Sequence, residues 1–364
     1  MYIKSIELVN FRNYEKLKLE FHEKVNIFTG DNAQGKTNLL EGVYVSSFGR
    51  SFRFGRDSEM IMFNTESCRV SVEARRGDEE IKVEIAIREN EKGIKLNGAG
   101  IKRTSELLEN IMIVVFSPED LKIVKEDPEK RRRFIDRELS QIRPAYYSDL
   151  SSYKRALAQR NALLKEKNTG IENFEVWDRE LSGYGSKLIF KRKEFIEKIS
   201  EISGETHKNI TNGKETLKVT YKPSVYEGDD TEKAFLGRLR DTLKRDIYKG
   251  NTETGPHRDD IEISVNGSDV RKYGSQGQQR TAALSLKLSE LELIKRETGE
   301  EAVLLLDDVL SELDGERQNF LINSLKDVQI FITSANIDGE LKNKLPEGYM
   351  FKIKNGRAER DPIW

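Results

Sequence analysis

Gly30-Asp31-Asn32-Ala33-Gln34-Gly35-Lys36-Thr37 is the stretch on which the reading of this chain turns. It satisfies the pattern G-x-x-x-x-G-K-[ST], a phosphate-binding loop. A chance match in a chain of this length has a probability on the order of 0.01–0.02. Val25-Asn26-Ile27-Phe28-Thr29 reads as a strand leading in, and Asn38-Leu39-Leu40-Glu41 opens a helix. Gly30 and Gly35 let the backbone curl so that successive N–H groups face a phosphate, and the helix N-terminus adds partial positive charge. The expected cradle runs from Gly30 to Asn38, with Lys36 reaching the β- and γ-phosphates and the Thr37 hydroxyl on Mg²⁺. The competing reading is an ordinary glycine-containing turn.

A cradle of this kind needs an acidic partner for the metal. Val303-Leu304-Leu305-Leu306-Asp307-Asp308 supplies one, as a buried strand ending in two carboxylates. Asp307 is the candidate Mg²⁺ ligand and Asp308 the candidate for orienting the attacking water, against a plain helix-cap role for both. Upstream, Tyr273-Gly274-Ser275-Gln276-Gly277-Gln278-Gln279-Arg280 places a small polar turn at the start of a long helix, a second anion site or simply a Ser275 cap. It looks like the signature motif of ABC-type ATPases, with Ser275, Gly277 and Gln278 as nucleotide-contacting candidates, and Ser311-Glu312-Leu313-Asp314 looks like their D-loop. Two anion sites make sense if two chains dimerise head-to-tail, each ATP lying between the loop of one and the Ser275 turn of the other.

The rest of the composition narrows the class. In 364 residues, 36% are hydrophobic and 34% charged, and 62 Lys and Arg balance 63 Asp and Glu to a net charge of −1. Any nucleic-acid contact therefore depends on local basic patches. No run approaches the ~20 apolar residues of a membrane span, and the opening Met1–Glu7 alternates like a strand, so a cytoplasmic protein is expected. One cysteine, Cys68, leaves no intrachain disulfide or cysteine-based zinc site, and three scattered histidines argue against a histidine-rich metal site.

Strand patterns dominate the first hundred residues, and Ile111–Phe116 is a continuous apolar run. From Pro128 to Asn212 the spacing is helical, broken at Pro144, and Glu232–Tyr248 adds a helix. Strand character returns at Ile261–Val265, with Asn266-Gly267 as a hairpin turn. The simplest organisation is an α/β fold split in sequence: residues 1–116 and 255–364 form one domain, and 117–254 are inserted as a mainly helical lobe.

With these motifs in order, the chain resembles the RecF family, bacterial recombination-repair ATPases related to SMC proteins. The resemblance spans essentially the whole sequence. It includes Asn10-Phe11-Arg12-Asn13-Tyr14, the Gly30–Thr37 loop, Phe116–Leu121, Arg131–Asp136, Thr254–Asp260, Gly274–Arg280 and Leu304–Asp314. It implies an ABC-type ATPase head, with a mixed-sheet lobe I and a helical lobe II. It also implies an ATP-dependent homodimer that clamps single-stranded and gapped or junction duplex DNA and releases it on slow hydrolysis. The implied partners are RecR and, through it, RecO, in loading RecA. Arg12 resembles the arginine that SMC-type heads aim at nucleotide phosphates, the alternative being an exposed hairpin charge. Thr333-Ser334 stand where the resemblance implies a γ-phosphate contact. Asp308 stands where ABC transporters usually carry Glu; a base one methylene shorter predicts slow turnover.

Three basic clusters are candidate DNA contacts: Lys130–Arg133, Lys187 with Lys191–Lys193, and Arg50, Arg53 and Arg56. A solvated, self-paired face competes with each. His257, after Gly255-Pro256, reads as a turn histidine with satisfied hydrogen bonds. The rival functions are another P-loop NTPase, such as a small-molecule kinase, which leaves the Ser275 turn unexplained, or the nucleotide-binding subunit of a transporter, which lacks this middle lobe. An SMC-type structural ATPase would need a much longer middle.

Overall fold

The computed structural model describes residues 1–53, 55–166, 170–225, 230–325, 327–336 and 339–361. They divide into two compact units, one of Met1–Leu121 with Glu290–Trp364, the other of Lys122–Ser289. The residues from Gly255 to Ser289 thus pack with the helical middle, where the sequence placed them with the ATPase part. The reason is a long-range strand pairing within that second unit, described below.

The strands, in chain order, are β1 (Tyr2–Phe11), β2 (Tyr14–Glu20), β3 (Val25–Thr29), β4 (Ser67–Arg76) and β5 (Glu79–Arg88). Then come β6 (Glu91–Leu96), β7 (Ala99–Ile101), β8 (Ile113–Phe116), β9 (Leu217–Lys222) and β10 (Asp260–Val265). The last are β11 (Ser268–Asp269), β12 (Val303–Asp307), β13 (Ile330–Ser334), β14 (Gly348–Lys354) and β15 (Arg357–Asp361).

The first unit holds two six-stranded sheets. One is an antiparallel meander in the order β2-β1-β4-β5-β6-β7. In β1 the buried residues are Ile3, Ile6, Leu8 and Phe11; a register shift between Ile3 and Ser5 accounts for the first break in alternation, and left-handed Asn10 lies at the second. The other sheet runs β15-β14-β3-β13-β12-β8, with parallel pairing from β14 through β8. Its central strands are apolar on both faces: β8, β12 and β13 are buried throughout, and β3 is buried from Val25 to Phe28. Phe21, Phe28, Phe331 and Phe351 form an aromatic cluster against it. Buried Gln329 ties the two sheets, accepting from Ile3 N–H at 2.7 Å and donating to the Ile3 carbonyl at 2.8 Å. The helix Lys36–Phe48 is buried along nearly its whole length, its polar Glu41, Ser46 and Ser47 included.

The second unit is mainly helical: Pro128–Ile142, Pro144–Lys165, Glu175–Ile210 and Thr231–Lys249. Pro144 does not break a helix but starts one, at its first turn, where a missing N–H costs nothing. A small antiparallel sheet, β11-β10-β9, completes the unit. Its pairing of Asp260–Val265 with Leu217–Lys222 is what ties the segment after Gly255 into this unit. The turn at Asn266-Gly267 joins β10 to β11 with left-handed φ values of 50° and 78°, as a two-residue hairpin demands.

Candidate nucleotide-binding site

The parallel strands β3, β13 and β12 lie side by side, so their C-terminal ends form one edge. This is where open α/β sheets bind ligands. β3 delivers the loop Gly30–Thr37, and β12 delivers Asp307 and Asp308. Between them, β13 delivers Thr333, in register with Phe28 on one side and Asp307 on the other.

The loop is braced from several sides. Gly30 has φ 146°, and a Cβ there would lie 2.3 Å from the Ile353 carbonyl oxygen. Gly35, at φ 116°, would push a Cβ to 2.6 Å from Asn13 Nδ2. Both positions therefore need glycine. The loop's side-chain supports come from two hairpin turns. Asn13 Nδ2 donates to the Gln34 carbonyl at 3.0 Å, and the Tyr14 hydroxyl, its pKa raised by burial, donates to the Gly35 carbonyl at 3.0 Å. From the β14–β15 turn, Asn355 N–H donates to Gln34 Oε1 at 2.8 Å and Gly356 N–H to the Gln34 carbonyl at 3.2 Å. Asp31, Asn32 and Ala33 form the exposed tip, with Ala33 left-handed at φ 64°. The Lys36 ammonium folds over the loop and donates to the Gly30 carbonyl at 2.5 Å and that of Asp31 at 2.8 Å.

Thr37 and Asp307, 270 positions apart in sequence, meet directly: Thr37 Oγ1 donates to Asp307 Oδ1 at 2.8 Å. Thr333 Oγ1 donates to the same oxygen at 2.8 Å. Burial lifts the Asp307 carboxyl above its ordinary pKa, while the Thr333 and Thr37 hydroxyls and the Arg53 charge pull the other way. Asp308 is exposed, with a left-handed backbone at φ 55°. Such a conformation costs about 1 kcal/mol and is tolerated best by Asn and Asp among residues with a side chain. Its N–H is pinned to Thr333 Oγ1 at 3.0 Å. Thr333 therefore serves as a spacer between the two aspartates, its hydroxyl hydrogen spent on Asp307. A cavity of about 560 Å³ opens beside the loop, lined by Gly30, Asp31 and Gln34, by Asn336 and by β14, a size suited to a small molecule.

Arg12 is not a loose hairpin charge. Its Nε and one terminal nitrogen donate to the wholly buried Glu41 carboxylate at 2.9 and 2.6 Å, and the other to the Glu59 carbonyl at 2.5 Å. Glu41 also faces Arg53 at 3.8 Å and accepts from the Ser51 hydroxyl. Arg53 donates to Asn38 Oδ1 at 2.8 Å, and Asn38 Nδ2 donates to Asn13 Oδ1 at 2.8 Å. Asn38 is thus occupied in linking the β1–β2 turn to Arg53. Glu41, Asn13 and the Asn355-Gly356 turn were not singled out from sequence. Glu41 did carry a signal, as the one acid inside the apolar run Leu39–Val45.

Ser275, Gly277 and Gln278 belong to the second unit. Gln278 N–H donates to Ser275 Oγ at 3.2 Å and Ser275 N–H to Gln278 Oε1 at 2.9 Å, a reciprocal capping box. The Ser275 oxygen accepts in that pair, so its O–H is left to donate outward from an exposed position.

Arginines from two of the basic clusters are engaged in ion pairs and hydrogen bonds within the unit. Arg131 binds Asp260 through two contacts, at 2.6 and 3.0 Å, Arg132 donates to the Asp259 carbonyl at 2.7 Å, and Arg133 pairs with Glu129. Arg192 is buried between Asp136, at 2.8 Å, and Asp259, at 3.3 Å. His257 is satisfied on both nitrogens. Its Nε2–H donates to the Thr252 carbonyl at 2.8 Å, and Nδ1 accepts from the Tyr153 hydroxyl at 2.7 Å. Burial pushes its pKa down to about 4.

The RecF/RecN/SMC N terminal domain family matches residues 2–344. A DNA replication and repair protein RecF from Agathobacter rectalis is 47% identical over 363 residues, covering 99% of each chain. The chain belongs to the RecF family. A solved recombination mediator protein RecF with ATP, from the RecFOR pathway, is 42% identical, with a TM-score of 0.92 over 99% of this chain and 97% of that one. An SMC head bound to the C-winged helix domain of ScpA is similar in fold at a TM-score of 0.57 and 16% identity. The expected ABC-type head architecture is the one this RecF-family chain adopts. Among the described residues, no helix is long and apolar enough to cross a membrane.

Proposed function

We propose that this chain is an ATP-gated DNA-binding protein of recombinational DNA repair and replication restart. The observation that carries the reading is the 2.8 Å contact between Thr37 and Asp307 at the mouth of the braced loop. Its full-length relatives are named for DNA replication and repair, and one was solved with ATP. This favours repair over a metabolic NTPase or a transporter subunit.

In this reading the Gly30–Asn38 backbone holds the triphosphate and Lys36 moves from loop carbonyls to phosphate oxygens. Thr37 Oγ1 and Asp307 would hold Mg²⁺. The donor set fits that ion: one hydroxyl and one carboxylate with an oxygen that takes no hydrogen bond among the described residues. Bound there, Mg²⁺ would neutralise phosphate charge. Asp308 orients the attacking water, and turnover stays below about 10 s⁻¹, the enzyme median. Arg12, set by Glu41, lies at the loop through its neighbour Asn13. Ser275 and Gly277 reach the nucleotide of a second copy, and Gln278 acts there through its cap of Ser275, making an ATP-dependent homodimer. The unit of Met1–Leu121 with Glu290–Trp364 is the nucleotide-binding lobe, and Lys122–Ser289 the second lobe. Partnership with RecR and RecO, RecA loading and a preference for gapped or junction DNA belong to this reading, which the RecFOR pathway named for the solved relative supports.

The test is anisotropy of a fluorescent gapped duplex at fixed salt with Mg·ATP, Mg·ADP or no nucleotide, since phosphate contacts make affinity salt-dependent. Tight binding with ATP alone is expected. Equal, weak binding in all three states would remove nucleotide gating from the proposal.

A further inference from the structure

The Ser275 turn is secured from behind by hydrogen bonds that start in the interior of its unit. His207, in the last turn of the helix Glu175–Ile210, has no exposure. His207 Nδ1 lies 3.0 Å from the Ser285 hydroxyl, which is itself 2.7 Å from the Thr281 carbonyl. His207 Nε2 donates to Glu215 Oε2 at 3.2 Å. The other carboxylate oxygen, Glu215 Oε1, accepts from Gln278 Nε2 at 2.9 Å. Gln278 Oε1 in turn accepts from Ser275 N–H.

This run solves a problem of direction. A glutamine side-chain amide is nearly symmetric in shape, and a half-turn exchanges its donor and acceptor ends. Only one orientation offers oxygen to Ser275 N–H. A carboxylate accepts and cannot donate, so Glu215 fixes the amide nitrogen toward itself and the oxygen toward Ser275. Glu215 is fixed in its turn by His207, which is closed in by the protein. The chain path agrees: Thr216, next to Glu215, is tied to Asn266 at 2.9 Å, and the same hairpin leads on to the Ser275 turn.

We propose that Glu215, backed by His207, is a positioning residue for the Ser275 turn. It sets the Gln278 amide so that Ser275 is capped by its own oxygen and keeps its O–H for a phosphate on a second copy of this chain. The inference rests on the reading of Ser275 as a partner-shared phosphate contact. Glu215 itself touches no nucleotide.

The experiment is ATP-induced dimerisation by sedimentation velocity, with binding of a fluorescent ATP analogue measured in parallel. Four variants are compared: Glu215→Ala, Gln278→Glu, the double variant Glu215→Gln with Gln278→Glu, and Ser275→Arg. Glu215→Ala weakens the dimer at least about tenfold, the worth of a charged hydrogen bond, while analogue affinity of the single chain stays within about twofold. Gln278→Glu sets two carboxylates face to face and is equally impaired. The double variant restores the dimer, because the amide now at position 215 donates to the carboxylate now at position 278 and still accepts from His207. A merely structural role for Glu215 gives no such rescue. If the double variant is as weak as Gln278→Glu, or Glu215→Ala dimerises like the parent while Ser275→Arg does not, the positioning role is wrong and the shared site stands. If Ser275→Arg dimerises as well, the shared site itself falls.

Discussion

The two turns proposed to bind phosphate are built by opposite means. The Gly30–Thr37 loop is held by the β1–β2 turn, the β14–β15 turn and the ends of β12 and β13, partners far away in sequence. The Ser275 turn is held by its own helix and by one carboxylate, and its outward face is exposed. The first brings candidate metal and phosphate ligands together. The second presents a few donors at an exposed turn. A turn of that kind is a half-site, useful when another surface brings the rest. The contrast teaches where damage should show: in the first region, on nucleotide and on the fold itself; in the second, on assembly.

The sharpest break is Lys36→Arg. It should lower ATP turnover on the order of 10³-fold with an unchanged melting temperature, because a planar guanidinium does not fit the loop carbonyls and phosphates in the same way. Parent-like turnover would remove the loop from the chemistry. Next is Asp308→Asn, with turnover down about 10²-fold and ATP-bound dimers accumulating, read by stopped turnover and sedimentation together. Glu41→Ala tests the bracing rather than the ligands. It leaves Arg12 and Arg53 without their shared carboxylate and should cost roughly 3–5 kcal/mol of unfolding free energy in a denaturant titration. A loss under about 1 kcal/mol would show that the brace is dispensable.

The smallest effect lies in the second unit. The His257 ring stays neutral in the fold, with a pKa near 4 against 6.5 when free. Stability from this group is complete above pH 6.5 and is lost as pH falls toward 4, because only the unfolded chain takes up the proton in that window. The loss reaches up to about 3 kcal/mol. His257→Gln should flatten that part of the stability–pH curve relative to the parent. Parallel curves would assign the slope to other groups.

Much of this arrangement was legible in the sequence, and the rest was hidden for identifiable reasons. β3, β8 and β12 announced themselves as strands because a parallel sheet is covered on both faces and asks for apolar runs. The C-terminal hairpin was missed, although Asn355-Gly356 is a hairpin turn with φ values of 49° and 70°; its strands mix charged residues with apolar ones. The boundary at Gly255 went astray because the partner of β10 is β9, a pairing that no local pattern encodes. In the site, motif spacing placed Lys36, Thr37 and Asp307, whose chemistry is tied to residue type. The supports could not be read, because contacts such as Gln34 to Asn355 join residues 321 apart. Arg131 and Arg192 looked like surface charge and proved to be buried ion-pair partners, since charge alone does not tell which side of a helix faces the interior.

In the proposed dimer one nucleotide needs Lys36 from one chain and Ser275 from another. The most direct measurement is ATP turnover per chain as chain concentration is raised through the nanomolar to micromolar range, at saturating Mg·ATP and fixed salt, for the parent and for Ser275→Arg. The account expects turnover per chain to climb to a plateau in the parent and to stay at the floor in Ser275→Arg. Turnover per chain independent of concentration, and equal in the two proteins, would contradict it.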